Sequence, residues 1–328
     1  MTMANDANEI TKRLDQIVDP QLVDTLAKHK IFLVHDFYLS DTDKLSKITG
    51  LHPKAILKLK TELASHLPRP INAYEEYSLQ LTEGSIIKTS IPGLDEILGG
   101  GLRTGSLLEL CGTSGCGKTQ ICLNLAINIV AQHNVRVMYV DTKRDLVPSH
   151  FSAVVDALGY RTEKAAILSR VMVTRPDTIY SLISTLHGLQ GIQKREKRIK
   201  ILIIDSVVDL YYPFLNDQDN DGLGLLSHIA SLSHHLSTAY KLAVLFVNLG
   251  TRRNVFKEES HQDDSSLDTH DFLTPSLGKV WIGVPQTRLI LSRKSSNNPV
   301  RSLTVHRSLT ISKESKSKVY ILPDGTVK

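Results

Sequence analysis

Gly112-Thr113-Ser114-Gly115-Cys116-Gly117-Lys118-Thr119 matches G-x-x-x-x-G-K-[ST] at every fixed position, the spacing of a loop that cradles phosphate. The apolar run before it (Leu107, Leu108, Leu110, Cys111) reads as a strand, and Gln120–Gln132 after it reads as a helix. In such a strand–loop–helix unit, backbone N–H groups of the glycine-rich turn face phosphate oxygens. The helix N-terminus adds its partial positive charge. Lys118 then reaches the β- and γ-phosphates of a nucleoside triphosphate, and the Thr119 hydroxyl meets Mg²⁺. A plain glycine-rich turn with a surface lysine is the alternative, and it leaves both flanks unexplained.

Working outward, the 328 residues suggest roughly two domains. With 41% hydrophobic and 22% charged residues the chain has material for an ordinary core. Met1–Asp19 is polar and charged, which argues against a secretory signal, and no apolar run is long enough to cross a bilayer. The three cysteines (Cys111, Cys116, Cys122) crowd around the loop with no partners for a zinc site, so they read as packing residues in a reducing compartment. A net charge of +5 permits nucleic-acid binding without demanding it.

Residues 1–67 read as a small helical domain. Apolar positions recur at helical spacing (Ile10, Leu14, Ile17; then Leu22, Leu26), and Gly50 breaks the chain ahead of an amphipathic Lys54–Leu67 run. A glycine turn between helices serves DNA-backbone binding in some modules and protein binding in others. Gly50 stands alone where a DNA hairpin carries two glycines, which favours protein. Residues 68–88 read as a linker that begins at Leu67-Pro68-Arg69-Pro70. Residues 89–328 read as one α/β domain with a mostly parallel sheet. Strands are expected at Leu107–Cys111, Val135–Val140, Ile201–Ile204 and Leu242–Val247, with helices at Leu182–Leu189 and Leu225–Tyr240. The tail (Arg288–Leu291, Ser302–Val305, Lys318–Leu322) reads as antiparallel strands, with a turn at Asp324-Gly325.

Ile201-Leu202-Ile203-Ile204-Asp205 is a buried parallel strand ending in a carboxylate, and ligands of open α/β sheets sit at that end. Asp205 is therefore the expected second Mg²⁺ residue, beside Thr119. Gly112–Thr119 continues as Gln120-Ile121-Cys122 and is preceded by Ile91-Pro92-Gly93-Leu94-Asp95…Gly99-Gly100-Gly101-Leu102. Together these resemble the eukaryotic and archaeal RecA-type recombinases. Thr274-Pro275-Ser276-Leu277-Gly278-Lys279-Val280-Trp281 and Pro285-Gln286-Thr287-Arg288-Leu289 are most similar to one branch, the D-type paralogues. The resemblance implies a RecA-like P-loop ATPase core behind a small all-helical N-terminal domain. Its implied cofactors are ATP and Mg²⁺, bound by Gly112, Thr113, Ser114, Gly115, Cys116, Gly117, Lys118, Thr119 and Gln120. Lys118 is the implied catalytic residue, and Asn248 takes the place of the family's asparagine sensor.

The chain also departs from the family pattern. Where active members keep a water-orienting glutamate, it reads Asp141-Thr142-Lys143-Arg144, with Asp145 as the nearest substitute. An ammonium has no lone pair to accept a proton from water, so hydrolysis is expected to be slow or absent. Leu249 stands where the family carries a γ-phosphate-sensing glutamine. No proline lies between Pro299 and Pro323 to form the cap over a neighbour's ATP, and no phenylalanine lies between Phe37 and Phe151 to tether protomers.

By resemblance, two loops carry single-stranded DNA. The first, Tyr211–Asp221, offers Tyr211, Tyr212 and Phe214 for stacking but holds Asp217, Asp219 and Asp221 and no cation, which opposes a phosphate chain. The second opens with Arg252, Arg253 and Lys257, the candidate DNA contacts, and then turns acidic. Residues 194–200 fit either a nuclear import signal or a solvated loop. Arg293, Lys294, Arg301, Arg307, Lys313, Lys316 and Lys318 suggest a basic surface for DNA or an acidic partner. The favoured reading is a nuclear, ATP-binding accessory subunit of a recombinase-paralogue hetero-oligomer in homologous recombination. Its implied partners are a C-type paralogue through the N-terminal domain and another paralogue through the core. The competing reading is a single-stranded-DNA-dependent ATPase that exchanges strands itself.

Overall fold

In the computed structural model, residues 18–29, 31, 34–64, 72–75, 77–78, 84–196, 199–214, 221–252, 273–293, 295 and 298–328 are described. The chain divides into two compact units, Met1–Gln80 and Leu81–Lys328. Ile10, Leu14 and Ile17 lie outside the described residues, as do Arg253, Lys257, Lys294 and the three aspartates of the first loop (Asp221 keeps only its place in a helix).

Among the described residues the first unit includes the helices α1 (Pro20–Lys28), α2 (Val34–Leu39), α3 (Thr42–Thr49) and α4 (Pro53–Ala64), and residues 73–75 and 77–78 are also helical. Asp19 and Asp41 cap α1 and α3, accepting from Gln21 N at 2.9 Å and from Asp43 N and Lys44 N at 2.9 and 3.0 Å. The expected break at Gly50 closes α3, where its N–H donates to Ser46 O. Leu26, Val34, Phe37, Leu45, Ile56 and Leu63 are buried together as the core of this unit.

In the second unit the apolar runs pair as β3 (Leu107–Gly112), β4 (Arg136–Asp141), β5 (Val171–Thr174), β6 (Ile199–Asp205), β7 (Ala243–Arg252) and β9 (Thr287–Ser292). Together with β10 (Val300–Ser308) and β11 (Lys316–Tyr320) the order across the sheet is β11-β10-β9-β3-β7-β6-β4-β5. Pairing is parallel from β9 through β5 and antiparallel from β9 to β11. Residues 288–291 thus differ from the antiparallel expectation on one side: β9 runs parallel to β3 and antiparallel only to β10. Expected to close at Asn248, β7 instead runs on to Arg252. The short β8 (Leu273–Pro275) supplies antiparallel partners for Gly250, Thr251 and Arg252. Ile86–Ile87 (β1), inside the stretch expected as linker, pairs with Leu102–Arg103 (β2) of the core.

Both sheet faces are covered, as fully apolar strands require. One side packs α5 (Pro92–Ile97), α6 (Lys118–Gln132), α7 (Pro148–Ala157) and α8 (Lys164–Leu168). On the other side lie α9 (Ile179–Glu196), α10 (Val207–Tyr211), α11 (Asp221–Tyr240) and α12 (Gly278–Trp281). Helix α6 is buried nearly all round, so its polar residues need partners inside. Asn124 donates to Gly325 O at 2.9 Å and accepts from Val327 N at 3.0 Å, and Asn128 donates to Thr89 O at 3.1 Å. The expected Asp324-Gly325 turn is thereby moored to α6. Within α5, Asp95 accepts from Thr89 N, Thr89 Oγ1 and Ser90 N at 2.7–2.9 Å, which ties the helix to the residues just before it.

Gly93 sits so close to β11 that an added Cβ would lie 1.9 Å from Lys318 O, a backbone atom that cannot step aside. Gly93→Ala is expected to lower stability by about 1–3 kcal/mol through overpacking. A urea titration followed by circular dichroism measures it, and an unchanged midpoint would contradict this packing.

Candidate nucleotide and magnesium site

Strand β3 delivers Gly112 to the carboxyl edge of the sheet, where a Cβ would meet Leu291 O at 2.5 Å and Cys116 Sγ at 2.7 Å. Glycine is required by this close approach, and the chain turns there into the loop that opens α6. Lys118 is buried, with its ammonium donating to Gly112 O and Thr113 O at 2.8 Å each. Its charge is therefore held at the centre of the loop. Arg301 donates from Nε to Cys116 O at 2.9 Å. Arg301 is thus buried against the phosphate loop, which corrects its assignment to a basic surface; the loop's outward carbonyl needed a donor and this strand supplies one.

Thr119 and Asp205 come together as expected, the hydroxyl donating to Asp205 Oδ2 at 2.7 Å. Tyr139 from β4 donates to the same oxygen at 3.0 Å. Burial raises the Tyr139 pKa well above its ordinary value, with the Asp205 charge second, so the phenol stays a donor. Asp205 Oδ1 is buried without a hydrogen-bond partner. Desolvation raises the Asp205 pKa, opposed by the Thr119 and Tyr139 hydrogen bonds and by Lys143 and Lys118. An unpartnered carboxylate oxygen beside a hydroxyl is a hard oxygen set that fits Mg²⁺. That ion keeps most of its waters and takes one or two protein ligands plus phosphates. Among the described residues no cluster of three or more His, Cys, Asp or Glu offers a competing site.

The ends of β4 and β6 are laced together. Thr142 N donates to Asp205 O at 3.0 Å, and Thr142 Oγ1 accepts from Ser206 N at 2.8 Å. Asp141 is buried and paired with Arg175 Nε at 3.2 Å. Lys143 follows, its ammonium 3.6 Å from Asp209 Oδ2, while Asp145 is exposed. Gln120 departs from its expected phosphate-side role: its amide donates to Gly325 O, drawn there by the C-terminal turn. Asn248 donates to Glu109 Oε1 at 2.6 Å. Sequence reasoning missed Tyr139 and Glu109 and misplaced Arg301; the neighbours in space of all three are distant in sequence.

All three cysteines are free and buried. Burial and the Glu109 carboxylate push the Cys111 thiol up to about 12, and burial raises Cys122, so both are inert packing groups. In the first loop, Tyr211 is buried and stacked on Phe214 at 6.2 Å, which removes it as a base platform; Tyr212 is exposed. Of the second loop's candidates only the backbone of Arg252 is described. Residues 215–220 and 253–272 lie outside the described residues.

The strand order and a phosphate loop at the carboxyl edge define a RecA-like α/β domain. The Rad51 family model matches residues 81–325. The chain is 30% identical to the DNA repair protein RAD51 homolog 4 of Bos taurus, over 87% of this chain and 85% of that protein. It is 30% identical to the RAD51 homolog 4 of Mus musculus, over 83% and 80%. The Mus musculus RAD51 homolog 2 is 27% identical over 86% and 88%. This chain belongs to the Rad51 family, on the side of its paralogues and of the D type among them.

Because the Asp205 pKa is raised on folding, the native state binds the extra proton. Stability therefore falls as pH rises from the ordinary aspartate value, 3.8, through the raised one. Without nucleotide or Mg²⁺, Asp205→Asn is expected to melt above the parent at neutral pH, with the gap closing in acid. For a domain of this size, each 1 kcal/mol moves Tm by about 2–4 °C. Melting curves across pH check it; a gap independent of pH would contradict the burial of an ionised carboxylate.

Proposed function

We propose that this chain is a nuclear, ATP-binding accessory subunit of a hetero-oligomer of Rad51-type paralogues in recombinational DNA repair, and that it hydrolyses ATP slowly or not at all. One observation carries the reading. Lys118 is folded into the loop and Thr119 meets Asp205, the groups a triphosphate with Mg²⁺ would need, while the neighbouring position holds Lys143 facing Asp209. Bound Mg²⁺ would neutralise phosphate charge, held by Thr119 and Asp205. The backbone of Gly112–Gly117 and the Lys118 ammonium would grip the phosphates, each charge-assisted contact being worth about 1.5–3 kcal/mol. Nothing at Lys143 takes a proton from an attacking water, and Asp141 is occupied by Arg175.

In this reading ATP is a structural ligand that orders the loop and a partner-binding surface. The partners are other recombinase paralogues, a C type through the N-terminal helical unit and another through the core. Single-stranded DNA is met through the complex, with Arg252, Arg253 and Lys257 as this chain's own candidates. The repair role is supported by the names of the relatives. Among the described residues no helix is long and apolar enough to cross a membrane.

Co-purification of the parent and Lys118→Ala with their cellular partners tests the reading. The variant is expected to lose ATP and to recover less partner; ATP lost with every subunit contact intact would remove the structural-ligand role. Steady-state phosphate release tests the chemistry. Lys143→Glu is expected to raise it about a hundredfold or more, the lower end of what a positioned general base supplies. Fast turnover by the parent, stimulated many-fold by single-stranded DNA and lost in Lys118→Ala, would establish the strand-exchange ATPase instead.

A further inference from the structure

Glu109 is the third residue of β3, a strand whose six residues are all buried in the middle of the parallel sheet. A carboxylate there is costly unless fully paired. Three donors from three different elements meet it. Asn248 Nδ2 on β7 lies 2.6 Å from Oε1, Trp281 Nε1 on α12 lies 2.9 Å from the same oxygen, and Arg288 Nε on β9 donates to Oε2. Glu109 and Arg288 are both essentially inaccessible to solvent. The Trp281 ring also stands edge-on against Phe246 of β7, centroids 4.9 Å apart.

The cluster lies between two regions. Three residues beyond Glu109 the strand ends in Gly112, whose carbonyl is held by Lys118. A phosphate that competes for this ammonium releases the Gly112 and Thr113 carbonyls, so occupancy is felt first at the end of β3. Gly250, just beyond Asn248, is packed against that same end. A Cβ built there would lie 3.5 Å from the Gly112 carbonyl carbon and 2.5 Å from Leu273 Cδ2 of β8. Ser276 ties the far side, its N and Oγ donating to Leu249 O at 2.9 and 2.8 Å. The side chain of Leu249 cannot relay a hydrogen bond. Asn248, held by Glu109, has a buried Oδ1 without a partner.

We propose that Glu109 is a positioning residue that transmits phosphate occupancy of the loop to the β8–α12 segment, by holding β3, Asn248 and Trp281 as one unit. This rests on the nucleotide-binding reading above and adds its regulation.

Trp281 is the only tryptophan of the chain, so intrinsic emission reports its contact with Glu109 without a label. The full-length protein is titrated with Mg²⁺-ATP while equilibrium dialysis with radiolabelled ATP measures binding separately. The expected result is a saturable shift of Trp281 emission with the midpoint found by dialysis. In the paired variant Glu109→Gln with Arg288→Met, which leaves no buried charge unpaired, ATP is still bound and the shift is lost. A purely structural role would lower the melting temperature of that variant but leave the shift in place, and that result overturns the proposal. So does ATP bound by the parent with no change in emission. Should the paired variant not fold, hydrogen exchange of the parent decides. Amides of residues 273–282 are expected to exchange about 5-fold or more slowly with ATP, the lower end of ordinary coupling, and unchanged exchange overturns the proposal. If dialysis finds no ATP on the parent, the nucleotide reading itself falls, a failure distinct from bound ATP with a silent Trp281.

Discussion

The Asp205 carboxylate is carried by a strand of aliphatic residues to a place where water does not reach it. One oxygen is met by Thr119 and Tyr139, and the other is left bare. Burying a charge in this state is unfavourable, and the arrangement makes sense as a place kept for a cation. Much of the second unit serves to hold it. Parallel pairing of β3, β7, β6 and β4 brings the phosphate loop, Asn248, Asp205 and Asp141 to one edge of the sheet. Thr142 stitches the ends of β4 and β6 together directly beneath Asp205.

Around this centre, the cations have separate tasks set by what they touch. Lys118 is folded onto loop carbonyls and Arg301 braces the loop from outside. Lys143 faces Asp209, which leaves its ammonium near Asp205 without making it a base. On the proposed reading, this arrangement of charge retains phosphate more than it activates water. The C-terminal turn adds a mechanical hold, since Gly325 receives hydrogen bonds from Gln120 and Asn124 on the helix that begins in the loop.

Local signals in the sequence were sufficient for the strands, because Ile201–Ile204 is aliphatic throughout and Leu107–Cys111 is apolar except at Glu109, runs short enough for buried strands. Motif spacing and the carboxylate at the end of an aliphatic strand were sufficient to anticipate that Thr119 and Asp205 meet at the loop that holds Lys118. Contacts between residues far apart in sequence were hidden. Glu109 and Arg288 are separated by 179 positions, and nothing near either announces a buried ion pair. Arg301 looked like one more surface cation because the tail around it also carries Arg293, Lys294 and Arg307, yet the strand alternation of β10 turns it inward. Gln120 was assigned by its place in the motif, and the turn that captures it lies 205 residues away. The extension of β7 past Asn248 depended on β8, too short a strand to be read from Leu273–Pro275 alone.

The state of the nucleotide itself tests the account most directly. Purified protein, alone or with its partners, is loaded with ATP labelled on the γ-phosphate, freed of excess and kept at working temperature. Bound nucleotide is then extracted at intervals and identified. The account predicts that it remains triphosphate for as long as it stays bound. Prompt conversion to diphosphate on the protein, at the rate of a working ATPase, would contradict it.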